Sequence, residues 1–158
     1  MTEQAEQVQA SNRAQLDAVR IRRDRLYDAI LTVERALAAP AGDDAPAWAN
    51  RLAGPVESLQ AVLQEHVAGT EGEEGLFEQI RDEAPHLLHA VDLLRDDHEP
   101  LLEATTELAA GLPKVADDDG VDLVRLHSLD LLRRLLEHRH RGAELLYDVY
   151  AVDVSAAD

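Results

Sequence analysis

Residues 87–108 read LLHAVDLLRDDHEPLLEATTEL. Leu87, Val91, Leu94, Leu101 and Leu108 recur at steps of four, three, seven and seven, which is the row of one α-helical face. His98 stands in that row, four residues after Leu94 and seven after Val91. The same stride continues outward in both directions. Towards the N-terminus it joins Trp48, Leu52, Leu59, Val62 and Leu63, and before them Leu16, Val19, Leu26, Ile30, Val33 and Leu37. Towards the C-terminus it joins Val124, Leu131, Leu135, Leu145 and Val149. Between the apolar positions lie Ala, Leu, Glu and Arg, all good helix formers, and no β-branched run shows a period of two. Breaks are expected at Pro40–Pro46, Gly69–Gly75, Asp82–Pro85 and Gly111–Gly120. Four long amphipathic helices with short connections read as an all-α, up-down-up-down antiparallel four-helix bundle over residues 13–152. Residues 1–12 carry little apolar patterning and are expected to form a frayed extension, with residues 153–158 as a C-terminal tail.

The chain has 158 residues, enough for one domain with one core. Aromatic residues are 3%, so the core must be built from Leu, Val, Ile and Ala. Thirty-two acids face fifteen bases, a net charge of −17, which argues against nucleic acid and anionic membrane surfaces as partners. The absence of cysteine removes disulfides, thiolate metal sites and iron–sulfur clusters. No stretch has the apolar length of a membrane span or the form of a signal peptide, so the expected location is cytoplasmic. There is no serine-centred elbow, no glycine-rich phosphate loop and no zinc-protease motif, so a conventional hydrolase is not indicated.

In a bundle, chemistry belongs to polar residues in phase with the apolar stripe. His66 lies seven after Leu59 and four after Val62, and His138 lies seven after Leu131 and three after Leu135. With His98, three helices each aim one histidine inward. Counted from the connecting turns, the three stand at similar heights, so their rings can meet in one layer. Imidazole nitrogen is a common ligand for iron, zinc, copper and nickel. The alternative is a metal-free polar layer that fixes helix register. His86 and His89 fall on the far side of the third helix from His98, and His127 lies well up the fourth helix from His138. His140 and Glu144 have the i, i+4 spacing that can chelate a metal, yet they point away from the leucine stripe and read as an exposed pair.

Acidic ligands would come from Glu34 on the first helix, which reads as inward, and from Glu73, with Glu71 and Glu74 as weaker candidates. The glycines at 69, 72 and 75 make the phase of this acidic run uncertain. Arg23, Tyr27 and Arg139 also face inward. Two inward arginines repel a bare cation and are expected to pair with Glu34, Glu73 or Glu74. Pro100 lies inside the third helix and is expected to kink it beside His98.

The stretch from His66 to Phe77, the Asp97-His98 pair followed by Leu101-Leu102, and the stretch from His138 to Tyr147 resemble the hemerythrin-like family of cation-binding domains. The resemblance spans roughly residues 14–150. It implies a four-helix bundle holding non-haem iron, in the family a di-iron site, and a metal ion meeting dioxygen or peroxide. It implies oxygen binding, oxygen or redox sensing, iron handling or peroxide decomposition more than a dedicated enzyme. The family pattern is a histidine on the first helix, His-x-x-x-Glu on the second, histidine on the third and His-x-x-x-Glu on the fourth. His66, His98 and His138 match family histidines, and an alternative register places His140 and Glu144 on the last motif. The first-helix histidine is absent, and Thr70 and Gly142 stand where the carboxylates are expected. The site is then reduced, rebuilt from Glu34, Glu71, Glu73 and Glu74, or lost. In the last case the chain is an interaction or structural module, open to forming a homodimer.

Overall fold

A computed structural model describes residues 2–156, with side chains described as far as Val149. Four long helices form the bundle: α1 (Thr2–Ala38), α2 (Ala45–Glu71), α4 (Leu88–Gly111) and α5 (Asp118–Ala156). A short helix, α3 (Leu76–Glu83), lies between α2 and α4. Single 3₁₀ turns at Pro85–Leu87 and Leu112–Lys114 lead into α4 and out of it. Around the bundle, α1 packs on α2 and α5, and α4 packs on the same two helices. Arg25 meets Glu65, while the Trp48 indole reaches Ala39. Residue numbers therefore fall along α2 as they rise along α1. Arg23 with Arg139 and Leu37 with Arg125 show the same opposed sense for α1 and α5.

Local chemistry sets the helix ends. Gly42 supplies the left-handed backbone (φ 61°) between α1 and α2. The Asp44 side chain accepts a hydrogen bond from the Ala47 amide at 3.0 Å, and Pro46 follows in the first turn of α2. Asp117 caps α5 by accepting from the Gly120 amide at 2.9 Å. The C-terminus of α1 is closed from outside. Arg125 donates to the carbonyls of Leu37 at 3.2 Å and Ala39 at 3.1 Å, and its guanidinium lies over the buried Trp48 ring at 5.1 Å. A cation at this end also suits the helix dipole. Arg125→Ala is expected to cost about 2 kcal/mol through the lost charge-assisted bonds. Urea denaturation followed by Trp48 fluorescence measures this, and an unchanged midpoint would refute the capping role.

The core divides in two. The larger part joins Leu26, Ile30, Val33, Trp48, Leu52, Leu59, Leu63, Leu101 and Leu135. The smaller part joins Phe77, Ile80, Ala84, Val91, Leu94 and Leu145. Along α4, His98 falls between Leu94 of the small part and Leu101 of the large one. Along α5, His138 falls between Leu135 and Leu145. The histidine layer is the seam between two apolar clusters.

Residues 2–12 are part of α1, which is helical from Thr2, and its side chains stay exposed through Gln15. The C-terminal tail is likewise helical to Ala156, and residues 157 and 158 lie outside the described residues. The link between α2 and α4 is not a short turn. It holds α3, whose Phe77 and Ile80 are buried against α4 and α5. Pro100 lies inside α4, which continues through it as one helix with Pro100 on the exposed side. The donor that Pro100 lacks would serve the carbonyl of exposed Asp96, which water can reach instead. Among the described residues, no helix is long and apolar enough to cross a membrane.

Candidate metal centre

His66, His98 and His138 meet in the seam. Each offers a ring nitrogen within 4.8 Å of the other two. Ring centroids are 5.4 Å apart for His66 and His98, 5.3 Å for His66 and His138, and 4.9 Å for His98 and His138. His98 and His138 are each 2% exposed, and His66 is partly buried. Phe77 of α3 stacks on the His98 ring at 5.8 Å and closes that side.

Carboxylates stand behind two of the rings. Asp97 Oδ2 accepts from His138 Nδ1 at 2.9 Å, and Arg141 donates to the same oxygen at 2.7 Å. Glu71 Oε1 lies 3.3 Å from His98 Nδ1 and 3.7 Å from Arg95 Nε. A carboxylate on Nδ1 places the proton there and leaves Nε2 as a lone pair, the arrangement that supports metal-bound histidines elsewhere. The tautomer of His138 follows from this hydrogen-bond logic. His66 Nε2 and His138 Nε2 are 3.2 Å apart, so without an ion His66 supplies the proton between them. Both ring nitrogens of His98 are buried and neither makes a hydrogen bond among the described residues, so Glu71 at 3.3 Å is a charged neighbour of Nδ1 and does not fix that ring's tautomer.

All three rings are held neutral. Burial pushes His66 down to about 3, helped by His138, His98, Arg23 and Arg22. His98 is lowered by burial and then by His138, against the pull of Glu71 and Asp97. His138 is lowered by burial, with Asp97 opposing and Arg141 and Arg23 adding to the shift. Neutral imidazoles are the form that binds a metal, so no proton need be displaced from the layer as a whole.

The three histidines could hold one ion. At metal–nitrogen distances of about 2.05 Å, the edge of a tetrahedron is about 3.3 Å, close to the His66–His138 separation. The donor set does not fit two ions. Thr70, at one expected carboxylate position, is buried, and its hydroxyl donates to the carbonyls of its own helix at His66 (3.0 Å) and Val67 (3.2 Å). At the other, a side chain on Gly142 would meet Arg23 Nη1 at 3.3 Å. The guanidinium from α1 lies beside the place where a second carboxylate would project.

The other acidic candidates stand elsewhere. Glu34 is exposed, because it lies one residue past buried Val33 and so about 100° round the helix. Glu73 and Glu74 are exposed because α2 ends at Glu71 and Gly72 turns to extended backbone, so the helical phase no longer aims them inward. His140 and Glu144 pair with each other at 3.4 Å on the exposed side of α5, with no part in the layer. Glu71, expected only weakly, is the acid that reaches a histidine. Asp97 was not singled out as a site residue; its signal was its place next to His98, one step round α4. Arg23 and Arg139 do not pair with Glu34, Glu73 or Glu74. Arg23 donates to the Arg139 carbonyl at 3.2 Å, and Arg139 lies over the Tyr27 ring at 4.6 Å. In comparisons with protein-family models, curated proteins and solved structures, nothing matches this chain.

Proposed function

We propose that this chain is a divergent hemerythrin-like cation-binding protein that holds one transition-metal ion between His66, His98 and His138. The observation that carries the reading is the cluster itself: each of the three histidines offers a ring nitrogen within 4.8 Å of the other two, and both ring nitrogens of His98 are buried without a hydrogen-bond partner among the described residues. A polar atom in that position is costly unless something completes it. Three neutral imidazoles suit iron, zinc, copper or nickel, and the resemblance favours non-haem iron. Iron there would supply a Lewis-acidic, redox-active centre for dioxygen or peroxide. Asp97 and Glu71 orient the rings and add negative charge behind them, and Phe77 restricts water on the His98 side.

Protein purified without a histidine tag is expected to carry about one transition-metal ion per chain by elemental analysis. Asp97→Asn keeps the shape but removes the charged acceptor behind His138, and should weaken metal affinity about 10- to 100-fold. Trace metal in the wild type would refute the proposal, and unchanged affinity in the variant would refute the role of Asp97. The metal-free alternative has its own support in the direct His66–His138 hydrogen bond. It predicts a register-setting layer with no stoichiometric ion.

A further inference from the structure

Three arginines gather on one side of the histidine layer. Arg22, Arg23 and Arg139 line a cavity of about 40 Å³ that also touches His66, His138 and Thr70. No aspartate or glutamate lines it. Among the described residues, none of the three arginines forms an ion pair; the other arginines without one are exposed (Arg13, Arg20, Arg35, Arg51) or, like Arg125, bonded to backbone carbonyls. In a chain with a net charge of −17, a partly buried cluster of cations around a cavity that no acid lines, with Asp24 as the acid acting on Arg23, is an exception that the surface charge does not explain.

The guanidinium groups are also placed. Gly69 lets Arg22 lie against α2, where an added Cβ would stand 2.8 Å from its Cζ. Gly142 does the same for Arg23 against α5. Arg23 is tethered to the Arg139 carbonyl, and Arg139 rests on Tyr27. Arg139 Nε is buried and has no hydrogen-bond partner among the described residues. Repulsion between cations held this close is relieved by a shared anion, and guanidinium forks match the planar edge of an oxyanion.

We infer that Arg22, Arg23 and Arg139 form a receptor for one small oxyanion, of the size of formate, nitrate or bicarbonate, beside the histidine layer. The cavity holds about three water molecules, which limits the guest to a few heavy atoms. The receptor stands on the arginines and does not require the metal.

The test uses the full chain after chelator treatment, titrated calorimetrically with sodium formate and sodium nitrate at constant ionic strength set by sodium chloride. Saturable binding of about one anion per chain is expected. R23Q should weaken it roughly ten- to a hundredfold, the effect of losing a charge-assisted hydrogen bond. R133Q, at an exposed arginine on α5, should leave it unchanged. Should R23Q lose its helical circular dichroism, R22Q takes its place under the same criterion. No saturable heat with either anion, or equal weakening by R133Q, would overturn the receptor. Because the metal is removed beforehand, the result is independent of whether the three histidines bind an ion.

Discussion

His98→Ala is expected to strip the metal from the protein while leaving the chelator-treated fold close to its original stability. The first effect follows from geometry. His98 supplies one of three imidazoles, and no other side chain among the described residues reaches its place, since Glu71 lies behind the ring on the Nδ1 side. Removing a ligand should cost more than the 10- to 100-fold of a supporting partner. The second effect follows from two opposed contributions. The variant loses packing against Phe77 and opens a cavity, which destabilises. It also removes a buried ring whose Nε2 has no partner, which relieves a desolvation cost of about 1–3 kcal/mol. A metal held there would stabilise the wild type by about 4 kcal/mol at a thousandfold excess over Kd. Thermal melts of both proteins, with and without metal, should therefore show a large metal-dependent rise for the wild type alone. A variant that still gains stability from metal would place the ion elsewhere.

Acid is expected to unfold the chelator-treated protein through the same layer. An unfolded histidine titrates near 6.5, whereas folded His66 titrates at about 3, and His98 and His138 are lowered as well. Above 6.5 both states are neutral at these positions and the histidines contribute no pH dependence. As pH falls from 6.5 towards 3, the unfolded chain takes up protons that the folded chain refuses, and stability is lost. Each histidine that titrates only on unfolding gives a slope of about 1.4 kcal/mol per pH unit, so His66 alone removes about 4–5 kcal/mol across its window. The groups facing the layer do not change this sign. Arg22 and Arg23 add to the lowering of His66, Arg23 and Arg141 add to that of His138, and Glu71 and Asp97 only partly offset burial at His98. Urea midpoints between pH 7.5 and 4.5 measure the slope. His66→Asn should flatten it by about one proton. A wild-type stability that stays level or rises as pH falls to 5 would show that the rings are not buried neutral.

The helical stride made the histidine layer legible because His66, His98 and His138 each sit inside an uninterrupted apolar row. The phase of one leucine fixes the phase of its neighbours. Glu34 misled because a single step of about 100° separates an inward valine from an outward glutamate. The acidic run after Glu71 could not be read by phase at all. Its direction depends on where α2 stops, and Gly72 stops it one residue after the glutamate that matters. Phe77 reaches His98 through a short helix that eight residues, LFEQIRDE, form between two turns, too brief for periodicity to reveal. The arginines are the reverse case. Their inward phase was visible, yet the partners expected for them lie at the surface. Gly142 on the facing helix, silent in any apolar pattern, leaves the room that the Arg23 guanidinium occupies.

The place of the ion between the three rings is the most direct test. Crystals grown from tag-free protein with iron or zinc, measured at the metal's absorption edge, should show one anomalous peak per chain. It should lie about 2.0–2.3 Å from a ring nitrogen of each of His66, His98 and His138, with Asp97 and Glu71 still on the far sides of their rings. An anomalous map without a peak between those rings, or with its peak at the exposed His140–Glu144 pair, would contradict the central claim.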